Sequence, residues 1–151
     1  MPRKKAEWEV LVIHGPNLDL LGARENEIYG DTTLSEINRL IEARAEALGV
    51  KATFHQTPHE GEIVEAIGRA RGKYHGIIIN PAAFTHTSVA IRDAVAAVGI
   101  PTVEVHLSNV HGRERFRRHS YLAPVCLGQI CGFGPLSYLL ALEGLVSGLK
   151  S

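Results

Sequence analysis

The chain alternates short, continuous apolar runs with stretches whose apolar residues recur at helical spacing. Val10, Leu11, Val12 and Ile13 form the first run. It is too short for a helix and rich in β-branched residues, so it predicts a strand buried on both faces. Further strands are predicted at residues 51–56, 76–80, 102–106 and 125–131. The 51–56 run is short and mixed in character, which suits a place near a sheet edge.

Between these runs the period changes. Leu34, Ile37, Leu40, Ile41, Ala45 and Leu48 mark one face of a helix. Thr33 and Glu36 fit a capping box at its start, and Gly49 supplies a stop. Ile63, Val64, Ala66, Ile67 and Ala70 mark a second helix over residues 62–71, weakened by Gly68. Thr87 or Ser88 caps a third that ends at Val98, before Gly99. Pro135 stands at the first position of a last helix reaching about Leu149.

Strand–helix alternation with short connections implies a parallel sheet covered by helices on both faces. At 151 residues the expectation is a single domain, with residues 1–7 as a flexible tail. The expected fold is α/β and flavodoxin-like: three layers around a five-stranded parallel sheet in the order 2-1-3-4-5. Ligands then bind at the carboxyl ends of the strands, in the crevice between strands one and three.

Three polar residues fall at those ends. His14-Gly15-Pro16-Asn17 breaks the first strand and leaves Asn17 there; the third strand delivers Asn80 and the fourth His106. Residues 18–30 read as a long loop with Leu20, Leu21, Arg24 and Tyr29, and a loop of that length suggests function. A second polar loop, residues 107–124, carries His111, Arg113, Arg115, Arg117, Arg118 and His119.

Composition narrows the function classes. Apolar residues make up 45% and charged residues 21% of the chain, as in an ordinary globular protein. Sixteen basic and sixteen acidic residues cancel, leaving no electrostatic footprint for nucleic acid or an anionic membrane. Residues 136–149 are apolar but contain Glu143 and are shorter than the ~20 residues of a membrane span. Cys126 and Cys131 read as reduced, buried thiols, and their scarcity suggests the cytoplasm.

Several ligands are disfavoured. There is no phosphate-binding G-x-x-x-x-G-K-[ST] segment, and the glycines Gly132 and Gly134 lack the third of a dinucleotide fingerprint. The first strand's loop, HGPN, is not the Ser/Thr/Gly-rich cradle a flavin would want, and Asn17 and Asn80 stand where a phospho-acceptor would need carboxylates. His55 with His59, and His106 with His111, lack a metal-ligand pattern. A cleft without cofactor or metal remains, furnished with His, Tyr, Arg and Asn for acid–base chemistry on a small polar substrate. Guanidinium charge beside a phenol favours the phenolate, and Arg24 and Arg113 are the candidates to supply it.

These residues resemble one family, the type II 3-dehydroquinate dehydratases (type II dehydroquinases). The likeness is carried by GPNLDLLGAR and EIYG in residues 15–30, NPAAFTHTSVAIRDA in 80–94, PTVEVHLSN in 101–109, FRRHSYLAP in 116–124, and residues 128–142. It implies a hydro-lyase of the shikimate pathway, converting 3-dehydroquinate to 3-dehydroshikimate by anti elimination through an enolate, with no cofactor. It implies that Tyr29 removes the C2 proton with Arg24 as its electrostatic partner on a mobile lid. It implies that Asn17 organises the enolate, that His106 protonates the departing hydroxyl, and that Glu104 is a candidate to orient His106. Asn80, His86, Leu107, Ser108, Arg113 and Arg117 are expected at the substrate, and Asp93 is expected to reach a neighbouring subunit's site. The implied assembly is a homododecamer, a tetramer of trimers. Asp19 stands where the family commonly has Asn, and Asn26 where its lid usually has Pro; the latter leaves the open lid less restrained. The alternative is a non-catalytic flavodoxin-like module that binds flavin or a signalling partner.

Overall fold

The computed structural model describes residues 8–151, so the expected tail lies outside the described residues. Five parallel strands form one sheet in the order β2-β1-β3-β4-β5. They are β1 (Trp8–His14), β2 (Val50–Gln56), β3 (Gly76–Asn80), β4 (Thr102–His106) and β5 (Gly128–Cys131). The helices are α1 (Asn26–Tyr29), α2 (Leu34–Ala47), α3 (Glu60–Arg69), α4 (Val89–Val98) and α5 (Leu136–Lys150). The predicted sheet order and the flavodoxin-like layering are those observed.

Strand parity assigns each side chain to a face, because successive residues point to opposite sides. Val10, Val12, Ile78, Val103 and Val105 meet α2 and α5 through Ile37, Ile41, Leu142 and Leu145. Leu11, Ile13, Ile77 and Ile79 meet α3 and α4 through Ile63, Ile67, Ile91 and Val95. Both faces of β1 and β3 are therefore largely apolar, which is why those strands read as unbroken runs; β4 is apolar on the α2/α5 side only, and its other side carries Thr102, Glu104 and His106.

Local signals set the helix ends. Thr33 Oγ accepts from the Glu36 amide at 3.2 Å, and Ser88 Oγ accepts from the Ile91 amide at 2.9 Å. Gly99 takes a left-handed conformation after α4, at φ 68°.

Five local expectations need correction. His14 does not break the first strand; it is its last, fully buried residue. Leu40 is 45% exposed, because it lies off the α2 stripe that Ile37, Ile41 and Ala45 bury. Residues 18–30 are not featureless: a 3-10 turn (Leu18–Leu20) and α1 fold them back, burying Leu18 and Leu21. The fifth strand starts at Gly128, since Pro124 sits in a 3-10 turn over Ala123–Val125. Cys126 and Cys131 are free but only half-buried.

Candidate active site

At the carboxyl rim of the sheet one cavity is lined by Asn17, Arg24, Tyr29, Asn80, His86, His106, Leu107, Ser108, Arg113 and Arg117, with Pro16, Leu18, Ala82, Ala83 and Val110 completing its wall. Ten of the twelve residues singled out from sequence meet there. The other two are Glu104, sealed beneath His106, and Asp93, exposed on α4 outside the cavity of its own chain.

The rim is assembled by close approach of two strand ends. The Gly15 amide donates to the Asn80 carbonyl at 2.8 Å. A Cβ on Gly15 would lie 2.8 Å from the Pro81 carbonyl carbon and oxygen, so only glycine fits without displacing the turn after β3. Two non-glycine residues here have positive φ, Asn17 at 69° and Ala82 at 51°. Such conformations are uncommon and gather where surrounding structure holds them in place.

Tyr29 has two cations close to its ring. The Arg24 guanidinium carbon is 4.0 Å from the ring centroid and that of Arg113 is 5.1 Å away. Positive charge on the ring stabilises a negative charge on its oxygen. Arg24 is itself held by Glu25, whose carboxylate accepts from its Nε at 3.0 Å. That hydrogen bond, with the guanidinium's charge, keeps the Glu25 carboxyl below the usual range. Arg113 donates to Ser108 Oγ at 3.3 Å, and Arg117 pairs with Glu114.

Opposite stands a buried carboxylate–imidazole pair. Glu104 and His106 are two residues apart on β4 and so share a face. His106 Nε2 donates to Glu104 Oε2 at 2.5 Å. Three further donors converge on that carboxylate: Ser120 Oγ at 2.6 Å, Thr85 Oγ at 3.0 Å and Gln129 Nε2 at 3.0 Å. Burial alone would raise the Glu104 carboxyl, but the bonds from His106, Ser120 and Gln129 outweigh it and hold the group below its ordinary value. The carboxylate thus stays charged and fixes the imidazole ring. His86, stacked 6.3 Å from His106, donates from Nδ1 to the His119 carbonyl at 2.8 Å. Burial, aided by the charges of His106 and Arg117, keeps His86 below its usual value against that bond.

Thr85, Ser120 and Gln129 were not legible from sequence. They arrive from three separate segments, a turn, a loop and the last strand, and a lone hydroxyl or amide carries no local signature. The structure brings Gln129 directly across from Glu104 in the β4–β5 register. Among the described residues no group of three or more His, Cys, Asp or Glu is arranged to hold a metal ion.

Comparison with known proteins agrees with this geometry. The family described as Dehydroquinase class II matches residues 8–146. The 3-dehydroquinate dehydratase of Trichodesmium erythraeum is 56% identical over 144 residues, covering 95% of this chain and 96% of that protein. The 3-dehydroquinate dehydratase 2 of Pseudomonas aeruginosa is 61% identical over 134 residues, covering 89% and 90%. The crystal structure of the type II dehydroquinase from Butyrivibrio crossotus superposes with a TM-score of 0.89 at 42% identity, covering 95% of this chain and 98% of that one. The alternative of a flavin-binding or signalling module finds no support among these relatives. With its sheet order, its rim of Tyr, Arg, His and Asn, and this degree of likeness, the chain belongs to the class II dehydroquinase family.

Proposed function

We infer that this protein is a 3-dehydroquinate dehydratase, a hydro-lyase that converts 3-dehydroquinate to 3-dehydroshikimate and water. The observation that carries the reading is the Tyr29 ring with the Arg24 and Arg113 guanidinium groups close by, in the cavity that His106 also lines. As a phenolate, Tyr29 takes the proton from C2, and the C–H electrons move onto the ketone oxygen as an enolate. The enolate collapses, forms the ring double bond and expels the hydroxyl on the adjacent carbon. His106 gives that hydroxyl a proton, so water leaves. Asn17 organises the enolate oxygen, Glu104 orients the His106 ring, and Arg24 and Arg113 balance the phenolate. Asn80, His86, Arg117 and the backbone at Leu107 and Ser108 hold the substrate's hydroxyl and carboxylate groups.

We also propose a homododecamer, built as a tetramer of trimers, in which Asp93 reaches a neighbour's cavity. Its support is the exposure of Asp93 outside its own cavity, with Val89 at 51% and Phe116 at 63% exposed. The free cysteines favour a cytoplasmic setting.

The test is direct. Adding 3-dehydroquinate to the purified protein, without metal or reductant, should produce the ultraviolet absorbance of a conjugated enone. No absorbance change at any pH between 6 and 9, from protein shown to be folded, would refute the activity.

A further inference from the structure

Behind the cavity, on the α2/α5 side of the sheet, four polar side chains form one largely buried chain of hydrogen bonds, of which the reaction above uses only Asn80. His14 Nε2 is 2.8 Å from Asn38 Oδ1, and His14 Nδ1 is 2.9 Å from the Tyr138 hydroxyl. Asn80 Nδ2 donates to that hydroxyl at 3.0 Å, and Asn80 Oδ1 accepts from the Ala82 amide at 3.1 Å. His14 and Tyr138 are fully buried, and Asn80 is 3% exposed at the cavity wall. His14 and Asn80 are register partners across β1 and β3.

Each bond dictates the next. Asn38 Oδ1 can only accept, so His14 Nε2 carries the hydrogen. Burial keeps His14 neutral, against the bond to Asn38, lowering its pKa to about 4. Its Nδ1 then has a bare lone pair and must accept from the Tyr138 hydroxyl. The hydroxyl, its one proton committed, can only accept from Asn80 Nδ2. The Asn80 amide is therefore held one way round, its oxygen toward Ala82 and its nitrogen toward Tyr138. A flipped amide would set an N–H against the Ala82 N–H and would lose both partners. What Asn80 has left for the cavity is its second N–H, at a fixed place.

We propose that Tyr138, His14 and Asn38 are positioning residues for the dehydration: they fix the orientation of the Asn80 amide, and with it the hydrogen bond Asn80 offers to substrate. The proposal rests on the reading that Asn80 contacts substrate. Neither Tyr138 nor His14 lines the cavity, so each acts only through Asn80.

A double-mutant cycle tests this. Tyr138→Phe removes one oxygen and keeps the ring that packs in the core. Its kcat/KM should fall roughly three- to tenfold, the value of one misdirected hydrogen bond. In an Asn80→Ala background, Tyr138→Phe should change kcat/KM no further, because the group it positions is gone. A core role alone would lower the melting temperature and leave kcat/KM unchanged in both backgrounds. Unchanged kinetics in Tyr138→Phe, or full additivity with Asn80→Ala, overturns the proposal. Wild-type kinetics in Asn80→Ala alone overturns the substrate-contact reading and the proposal with it. Should Tyr138→Phe fail to fold, Asn38→Leu on α2 carries the test. Without Asn38 Oδ1 the two neutral forms of His14 compete, so kcat/KM should fall by a smaller factor, and an unchanged value overturns the proposal.

Discussion

Tyr29, the base in the proposed reaction, has two cations close to its ring. Its ring sits 4.0 Å from one guanidinium and 5.1 Å from another. Tyr29→Phe keeps the stacking surface and removes only the oxygen. Turnover should fall by at least about 100-fold, the usual worth of a positioned acid or base, with an unchanged melting temperature. Steady-state assay beside a thermal melt reads both. For His106→Ala, loss of water should slow more than exchange of the C2 proton with solvent deuterium; equal slowing would remove His106 as the acid. Sequence made Tyr29, Arg24 and His106 legible because ionisable side chains at strand ends and in a long loop stand out from an apolar background. It hid His14, whose place beside Gly15 and Pro16 reads as a turn. Only the partner surfaces of Asn38 and Tyr138, which are distant in the chain, turn that histidine inward.

At the scale of elements, parity does the placing. Asn80 and His14 fall on the α2/α5 side of the sheet, with Ile78 and Val12 before them; Glu104 and His106 fall on the other side, with Thr85. The rim is where both sides meet. Apolar patterning, with capping residues at the helix ends, gave β3, β4, α2 and α4 nearly to the residue, because those elements have continuous or regularly spaced buried positions; it read β1 only as residues 10–13, whereas the strand extends from Trp8 to His14. It overextended β5, whose residues are only half-buried, and it could not show that residues 18–30 contain ordered turns held by Leu18 and Leu21. Gly15 is the element-scale pinch point. Gly15→Ala would press a methyl on the Pro81 carbonyl and move the turn behind Asn80. A loss of about 1–3 kcal/mol of stability is expected, together with a fall in kcat/KM; calorimetry and assay check both.

For the whole molecule, the buried titratable groups predict sensitivity to acid. In the unfolded chain His14 titrates at its ordinary 6.5; in the fold burial lowers this to about 4. Between those values the unfolded chain binds the extra proton. Stability is therefore full above pH 6.5 and declines as the pH falls toward 4, by on the order of 3 kcal/mol. Glu104, held below its ordinary 4.5, adds a further decline on continued acidification. Denaturant midpoints measured from pH 7.5 to 4 should fall, and His14→Gln should flatten the upper part of that curve. The sheet order was legible because alternating elements with right-handed crossovers leave few arrangements. The division of labour along the chain has one more outcome. Tyr29 and Asn80 are synthesised before His106 and before the Ser120 and Gln129 that brace Glu104. A nascent polypeptide that has emerged only through β3 still lacks β4 and β5, and with them the buried Glu104–His106 pair, so the rim is complete only once the last strands have been made.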